Sequence, residues 1–191
     1  MTTSTTPRFP VLTLDTVSPE QRPLAEQIVK VSSIGLGGPY SPLIRSPVMG
    51  QHMFDLLAYL RWNTSLPLNL NEFAILIVGR QWRSQVEWFA HVPIAIKAGL
   101  GADIIAELKA NKRPSNMTPI EAITYDFVTE LTTTHVVSDA TFARAKSLYT
   151  EQQIVDLTTV AGTYITIAML ISMANMQVPE GRDPPFKPGE V

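Results

Sequence analysis

Residues 71–100 read NEFAILIVGRQWRSQVEWFAHVPIAIKAGL, and the parsing of this stretch decides the fold. Its first half, opened by Asn69 or Asn71, is a strongly apolar helix, EFAILIVGRQW. Ser84 then opens a second helix. Ser84 and Glu87 form the Ser-x-x-Glu pattern of a capping box, in which each side chain satisfies an orphan amide at a helix start. Gly99 ends that helix, as the residue best suited to the left-handed position beyond a C-terminus. Pro93 cannot donate to the Phe89 carbonyl, so a local distortion is expected beside His91.

Turn and cap signals extend this helix pair in both directions. SPEQ at 18–21 and the Ser46-Pro47 pair start helices, the second running to about Trp62. GLGGPYSP at 35–42 forbids continuation, and TSLPLN at 64–69 is a loop. ADIIAELKAN at 102–111 is a short helix, and TPIE at 118–121 caps one that runs to about Thr133. Ser138 opens another short helix, and TEQQ at 150–153 starts a long apolar one reaching about Met176. The expectation is a single all-α domain of about eight helices over 18–178. An extended arm at 1–17 precedes it, and a Pro-rich tail at 179–191, draped over a neighbouring subunit, follows.

Composition narrows the function. Apolar residues make up 45% of the 191 and charged residues 17%, a low share that suggests surface covered by another copy. A net charge of −2 without a basic block gives no reason to expect nucleic acid or an anionic membrane as partner. No cysteine is present, which removes disulfides, thiolate nucleophiles and cysteine-based metal sites. MTTSTTPRFP has neither a basic nor an apolar signal region, and TYITIAMLISMANM falls short of about 20 apolar residues, so a cytoplasmic protein is expected.

Ser84, Glu87 and His91 stand at i, i+3 and i+7, within roughly a 60° arc of one helix face. Ser84 reads chiefly as a cap, and Glu87 as either a cap or a working carboxylate. His91 acquires a partner from upstream. Glu72 is the single charged residue between Arg61 and Arg80, and a carboxylate in so apolar a segment must be paired, protonated or at an end. Pairing with His91 would fix the ring's orientation. Glu87 and His91 alone do not make a metal site, and His52 and His135 have no partner at ligand spacing.

At this point the residues resemble a known family. Residues 71–100 are similar to the helix pair of the carboxymuconolactone decarboxylase family, which includes the alkylhydroperoxidase D-like proteins. GPYSPLIRSPVMGQHMFDLLAYLR (38–61) and DFVTELTTTHVVSDATFARAKSLYTEQQIVDLTTVAGTYITIAMLISMAN (126–175) extend the resemblance over about 20–178. Redox-active members carry Glu, eleven residues, Cys-x-x-Cys, three residues, His. Here Glu72 and His91 match the ends, while Ser84 and Glu87 stand at the two cysteine positions.

The resemblance therefore implies an alkylhydroperoxidase D-like bundle of the branch without the dithiol, a cofactor-free lyase with no thiol peroxidase activity. Its substrate would be a small carboxylated lactone or related ring. Glu72, Glu87 and His91 are the candidate catalytic residues, with His91 as proton donor or oxyanion partner. Arg45, Arg80 and Arg83 are candidate carboxylate anchors. Tyr40, brought by the 38–45 loop, together with Ser84, Trp88 and Tyr164, completes the candidate binding set; Trp62 and Trp82 are further aromatics. A homo-oligomer, a trimer or a multiple of one, is implied as well. A different acid–base enzyme, hydrolase or isomerase, and a non-catalytic small-molecule binder remain open.

Overall fold

The computed structural model describes residues 6–32 and 34–186, and among them every regular element is α-helical. The helices are α1 (Arg22–Val31), α2 (Tyr40–Leu43), α3 (Pro47–Trp62), α4 (Leu68–Gln81), α5 (Gln85–Lys97), α6 (Ala102–Lys109), α7 (Pro119–Thr134), α8 (Asp139–Leu148) and α9 (Glu151–Ala174). Nine helices stand where about eight were expected. The extra one is α2, four buried residues inside the glycine-rich break, where Gly35 and Gly38 take positive φ and Pro39 restarts the helical path.

α4 is the axis of the bundle. Every residue from Leu70 to Arg80 is buried, as a helix apolar on all sides requires, and α5, α7 and α9 pack around it. α9 is long and apolar enough by length and composition to cross a membrane, with a mean hydropathy of 1.8; its apolar run thus extends beyond the stretch judged too short from sequence. Much of that window is nonetheless buried inside the protein, against α4 and α7, as a core helix would be. At Gly50 of α3, an added Cβ would collide with the Leu43 carbonyl and sit 2.9 Å from Leu24, so glycine is what lets α2 and α1 close on α3.

The caps fall largely where the sequence puts them. Thr118 with Glu121 and Thr150 with Gln153 form reciprocal capping boxes, and Ser138 caps α8. At 18–21 the box bonds form, Ser18 with Gln21, yet the regular helix begins only at Arg22. Pro23 cannot donate to the Pro19 carbonyl, so the first turn stays outside the α-helical ladder.

Both ends of the described chain, from Thr6 and up to Phe186, lie on the protein itself. Arg8 bonds the Ala174 carbonyl through its amide and the Met173 carbonyl through its guanidinium, which fastens the N-terminal arm to the end of α9. The expected arm is described from Thr6 onward, and Val17 enters the core. The tail was expected on a neighbouring subunit, but its described part returns to its own chain. Phe186 is 3% exposed, packed edge-to-face on Trp88, because the Gln85 amide pairs with its backbone at both N–H and C=O. Residues 187–191 lie outside the described residues.

Candidate functional site

The turn between α4 and α5 builds the site. The Arg83 amide bonds Arg80 O at 3.0 Å and the Ser84 amide bonds Gly79 O at 2.8 Å, the two closures of a Schellman motif. Arg83 occupies its left-handed position, φ 48°, without being glycine. From Gly79 back to Glu72 and from Ser84 on to His91 are equal distances along the chain, two helical turns each. A tight turn that folds α5 antiparallel onto α4 therefore brings these two side chains level.

They meet at 2.7 Å, His91 Nδ1 to Glu72 Oε2, both buried. The carboxylate takes one ring nitrogen and leaves Nε2 for whatever faces it. Tyr164 of α9 stacks edge-to-face on the imidazole, with centroids 5.1 Å apart at 87°. Burial pushes the Tyr164 phenol well above its ordinary range, so it stays neutral.

The expected Ser84–Glu87 capping box does not form. The Ser84 side chain caps no amide, and the Ser84 hydroxyl and both Glu87 carboxyl oxygens are buried without a hydrogen-bond partner. The reason lies in the preceding turn. A capping box needs the N-cap amide to donate to the glutamate carboxylate, and the Ser84 amide already donates to the Gly79 carbonyl. Glu87 is thus released from the helix end and turned into the protein. Burial raises its carboxyl to about 8, and the nearby Ser84 hydroxyl lowers it only in part. At neutral pH Glu87 is a protonated acid.

Two spaces that share lining residues meet these side chains. An inner chamber of about 50 Å³ is lined by Glu87, His91, Tyr164, Tyr40, Arg61 and Leu57, among others. An outer cavity of about 590 Å³ shares Tyr40, Arg61, Val86, Ala90 and His91 with it. Of the sequence candidates, Tyr40, Glu87, His91 and Tyr164 are brought together here, with Glu72 behind His91.

The three expected anchors are not. Arg45 is spent on the Ser41 hydroxyl and carbonyl and on the Pro10 carbonyl, with Phe9 under its guanidinium. Arg80 donates to the Lys109 carbonyl and covers Phe186. Arg83 and Ser84 line a separate depression with Arg8 and Trp82. Trp88 is packed under Phe186, while Trp62 and Trp82 are exposed.

The cation the cavity holds is Arg61, which sequence reasoning passed over. It is half-buried, 3.5 Å from the Tyr40 hydroxyl, with no carboxylate in ion-pair range among the described residues. Its signal was available, because Arg61 is the last charge before the long apolar run that contains Glu72. His52 and His135 are exposed, His135 as the left-handed cap of α7. Among the described residues, no three His, Asp or Glu side chains converge as a metal site.

No protein-family profile matches the chain, and no curated protein matches it. Solved structures do. The alkylhydroperoxidase AhpD core of an uncharacterized peroxidase-related protein from Ralstonia eutropha JMP134 superposes with a TM-score of 0.75 at 15% identity, over 93% of this chain and 97% of that one. An uncharacterized peroxidase-related protein from Silicibacter sp. TM1040 gives 0.71 at 14% identity, over 90% and 91%. At such identities the likeness establishes the alkylhydroperoxidase D-like fold.

Proposed function

We propose that this chain is a thiol-free acid–base enzyme, a cofactor-free lyase of the carboxymuconolactone decarboxylase type acting on a carboxylated lactone or related ring. The observation that carries the reading is the convergence of a neutral Glu87, a Glu72-oriented His91 and Arg61 on one cavity. The neighbours in fold are described as peroxidase-related, but Ser84 and Glu87 cannot supply the thiol such chemistry uses.

Each group has a task. Arg61 holds a substrate carboxylate as a charge-assisted pair. With both ring nitrogens protonated, Nδ1–H on Glu72, His91 donates from Nε2–H to the lactone carbonyl oxygen, where negative charge develops. As the scissile C–C bond breaks, its electron pair enters the conjugated enolate and carbon dioxide departs. Glu87 gives its proton to carbon and regains one from solvent, so one proton is consumed per carbon dioxide released. Tyr164 walls the imidazole from water and keeps the site's field strong.

A second reading has its own support. Glu72 behind His91 is also the arrangement of a general base, which would suit an isomerase or a lactone hydrolase. Product analysis separates the two. A panel of carboxylated lactones is incubated with the protein, and carbon dioxide release and ring opening are followed. The decarboxylase reading expects carbon dioxide, lost on the order of a hundredfold or more in His91→Gln. Ring opening without it selects the hydrolase, and equal conversion by wild type and His91→Gln sinks both. Specific binding without any conversion would make the protein a binder.

A further inference from the structure

We propose that the ligand of this cavity is an amphipathic monocarboxylate, its single carboxylate on Arg61 and an apolar body in the outer cavity. The inference rests on the reading of Arg61 and His91 given above and names the substrate class for that site.

The two spaces differ in character. The inner chamber, about 50 Å³, has room for roughly one or two water-sized groups of about 30 Å³ each, enough for the reacting end of a molecule. The outer cavity, about 590 Å³, has room for roughly twenty. A small lactone of few heavy atoms would leave most of it empty. Its walls are largely apolar, with Val31, Ile34, Phe89, Ile94, Met176 and Pro179 among them. Ser32 and Gln177 add polarity without charge.

Charge fixes the number of carboxylates. Arg61 is the one lysine or arginine among the described residues lining either space, and His91 already has the Glu72 carboxylate as its partner. Arg61 and His91 line both spaces and so stand at their junction, and Glu87 faces the inner one. One carboxylate can therefore be paired there. A second, farther along the ligand, would meet apolar walls and lose hydration without a partner. An alkyl or aryl body in the same place is favoured by its own burial, about fourfold in affinity per buried methylene.

Binding, not turnover, tests this. Dissociation constants are measured calorimetrically for hexanoate, octanoate and decanoate below their micellar range, for hexanedioate, and for neutral octan-1-ol. The same set is run on Arg61→Met and on Ala90→Trp, which introduces an indole on an exposed position of the cavity wall without entering the core.

The expected result is a tightening of two- to fourfold per methylene from hexanoate to decanoate, and hexanedioate at least tenfold weaker than hexanoate. Arg61→Met should weaken the acids at least tenfold and leave the alcohol unchanged, and Ala90→Trp should flatten the chain-length dependence. Hexanedioate binding as tightly as hexanoate, affinity independent of chain length, or acids indifferent to Arg61 would each overturn the proposal. Graded binding without His91-dependent conversion would instead leave this assignment standing and remove the catalytic reading.

Discussion

Glu72 Oε2 lies 2.7 Å from His91 Nδ1, where the enclosed α4 meets the buried face of α5. Such a contact is costly to break from one side, because the remaining partner stays buried without its hydrogen bond. Glu72→Ala is expected to lower the unfolding free energy by about 3–5 kcal/mol, read as a shift of the urea midpoint at constant slope. Glu72→Gln keeps an acceptor in place, so it should cost less stability yet reduce turnover on the order of a hundredfold. A Glu72→Ala protein as stable as wild type would mean the pair is not closed in solution.

Glu87 predicts a pH dependence of definite sign. Its carboxyl sits at about 8 in the folded chain against an ordinary 4.5, so between these values the native protein holds a proton that the unfolded chain has released. This contribution is fully present below the ordinary value. Stability then falls as pH rises, by up to about 1.4 kcal/mol per unit, and levels off above the folded value. Glu87→Gln does not titrate. Its stability relative to wild type should increase by a few kcal/mol between about pH 5 and about pH 8, measured by urea unfolding at both. Turnover of wild type should decline through the same upper limit as the proton donor ionises. Parallel pH profiles for the two proteins would place Glu87 in an ordinary, solvated state.

Much of this was legible in the sequence, and the parts that were not have local causes. The apolar run of α4, the caps at Thr118, Ser138 and Thr150 and the isolation of Glu72 come from periodicity and spacing, which survive folding unchanged. The lone carboxylate of that apolar run called for a partner, and His91 was the partner the sequence offered. The capping reading of Ser84 and Glu87 failed because a capping box depends on an amide that a neighbouring turn had claimed, which leaves the other reading of Glu87, as a working carboxylate. The arginines misled because a guanidinium's destination is a tertiary matter: Arg45 and Arg80 found backbone carbonyls, while Arg61 found the cavity. The tail's return rests on tertiary contacts of Phe186 with Gln85, Trp88 and Arg80 that no sequence pattern distinguishes.

Arg61 separates binding from chemistry. Arg61 pairs with the carboxylate of the bound acid and loses that partner as carbon dioxide departs, so Arg61→Met should raise KM by roughly 10- to 100-fold, as for the loss of a charged hydrogen bond, without lowering kcat. Arg61→Lys should recover part of that affinity but not the fork geometry. Steady-state kinetics on any converted acid decides this. A fall in kcat at constant KM would make Arg61 a partner of the transition state instead.

The clasp between Gln85 and Phe186 reaches the chemistry through α5. Gln85 Nε2 donates to the Phe186 carbonyl at 2.7 Å, the Phe186 amide donates back to Gln85 Oε1 at 2.8 Å, and the phenyl ring rests on Trp88 at 5.1 Å. Both Gln85 and Trp88 belong to the first turn of the helix that carries Glu87. Phe186→Ala should therefore cost up to about 3 kcal/mol, and Gln85→Ala about 1–3 kcal/mol. Loss of the ring also uncovers Trp88, so its fluorescence should shift to the red, and amide exchange at the start of α5 should quicken. Glu87 is raised by burial, so a loosened first turn that admits water should bring its carboxyl back toward the ordinary range. The upper pH limit of turnover would then fall in Phe186→Ala while the Glu72–His91 pair, about one turn farther along α5, stays intact. If stability and exchange at α5 are unchanged in that variant, the tail only lies along the surface and does not help set the acid.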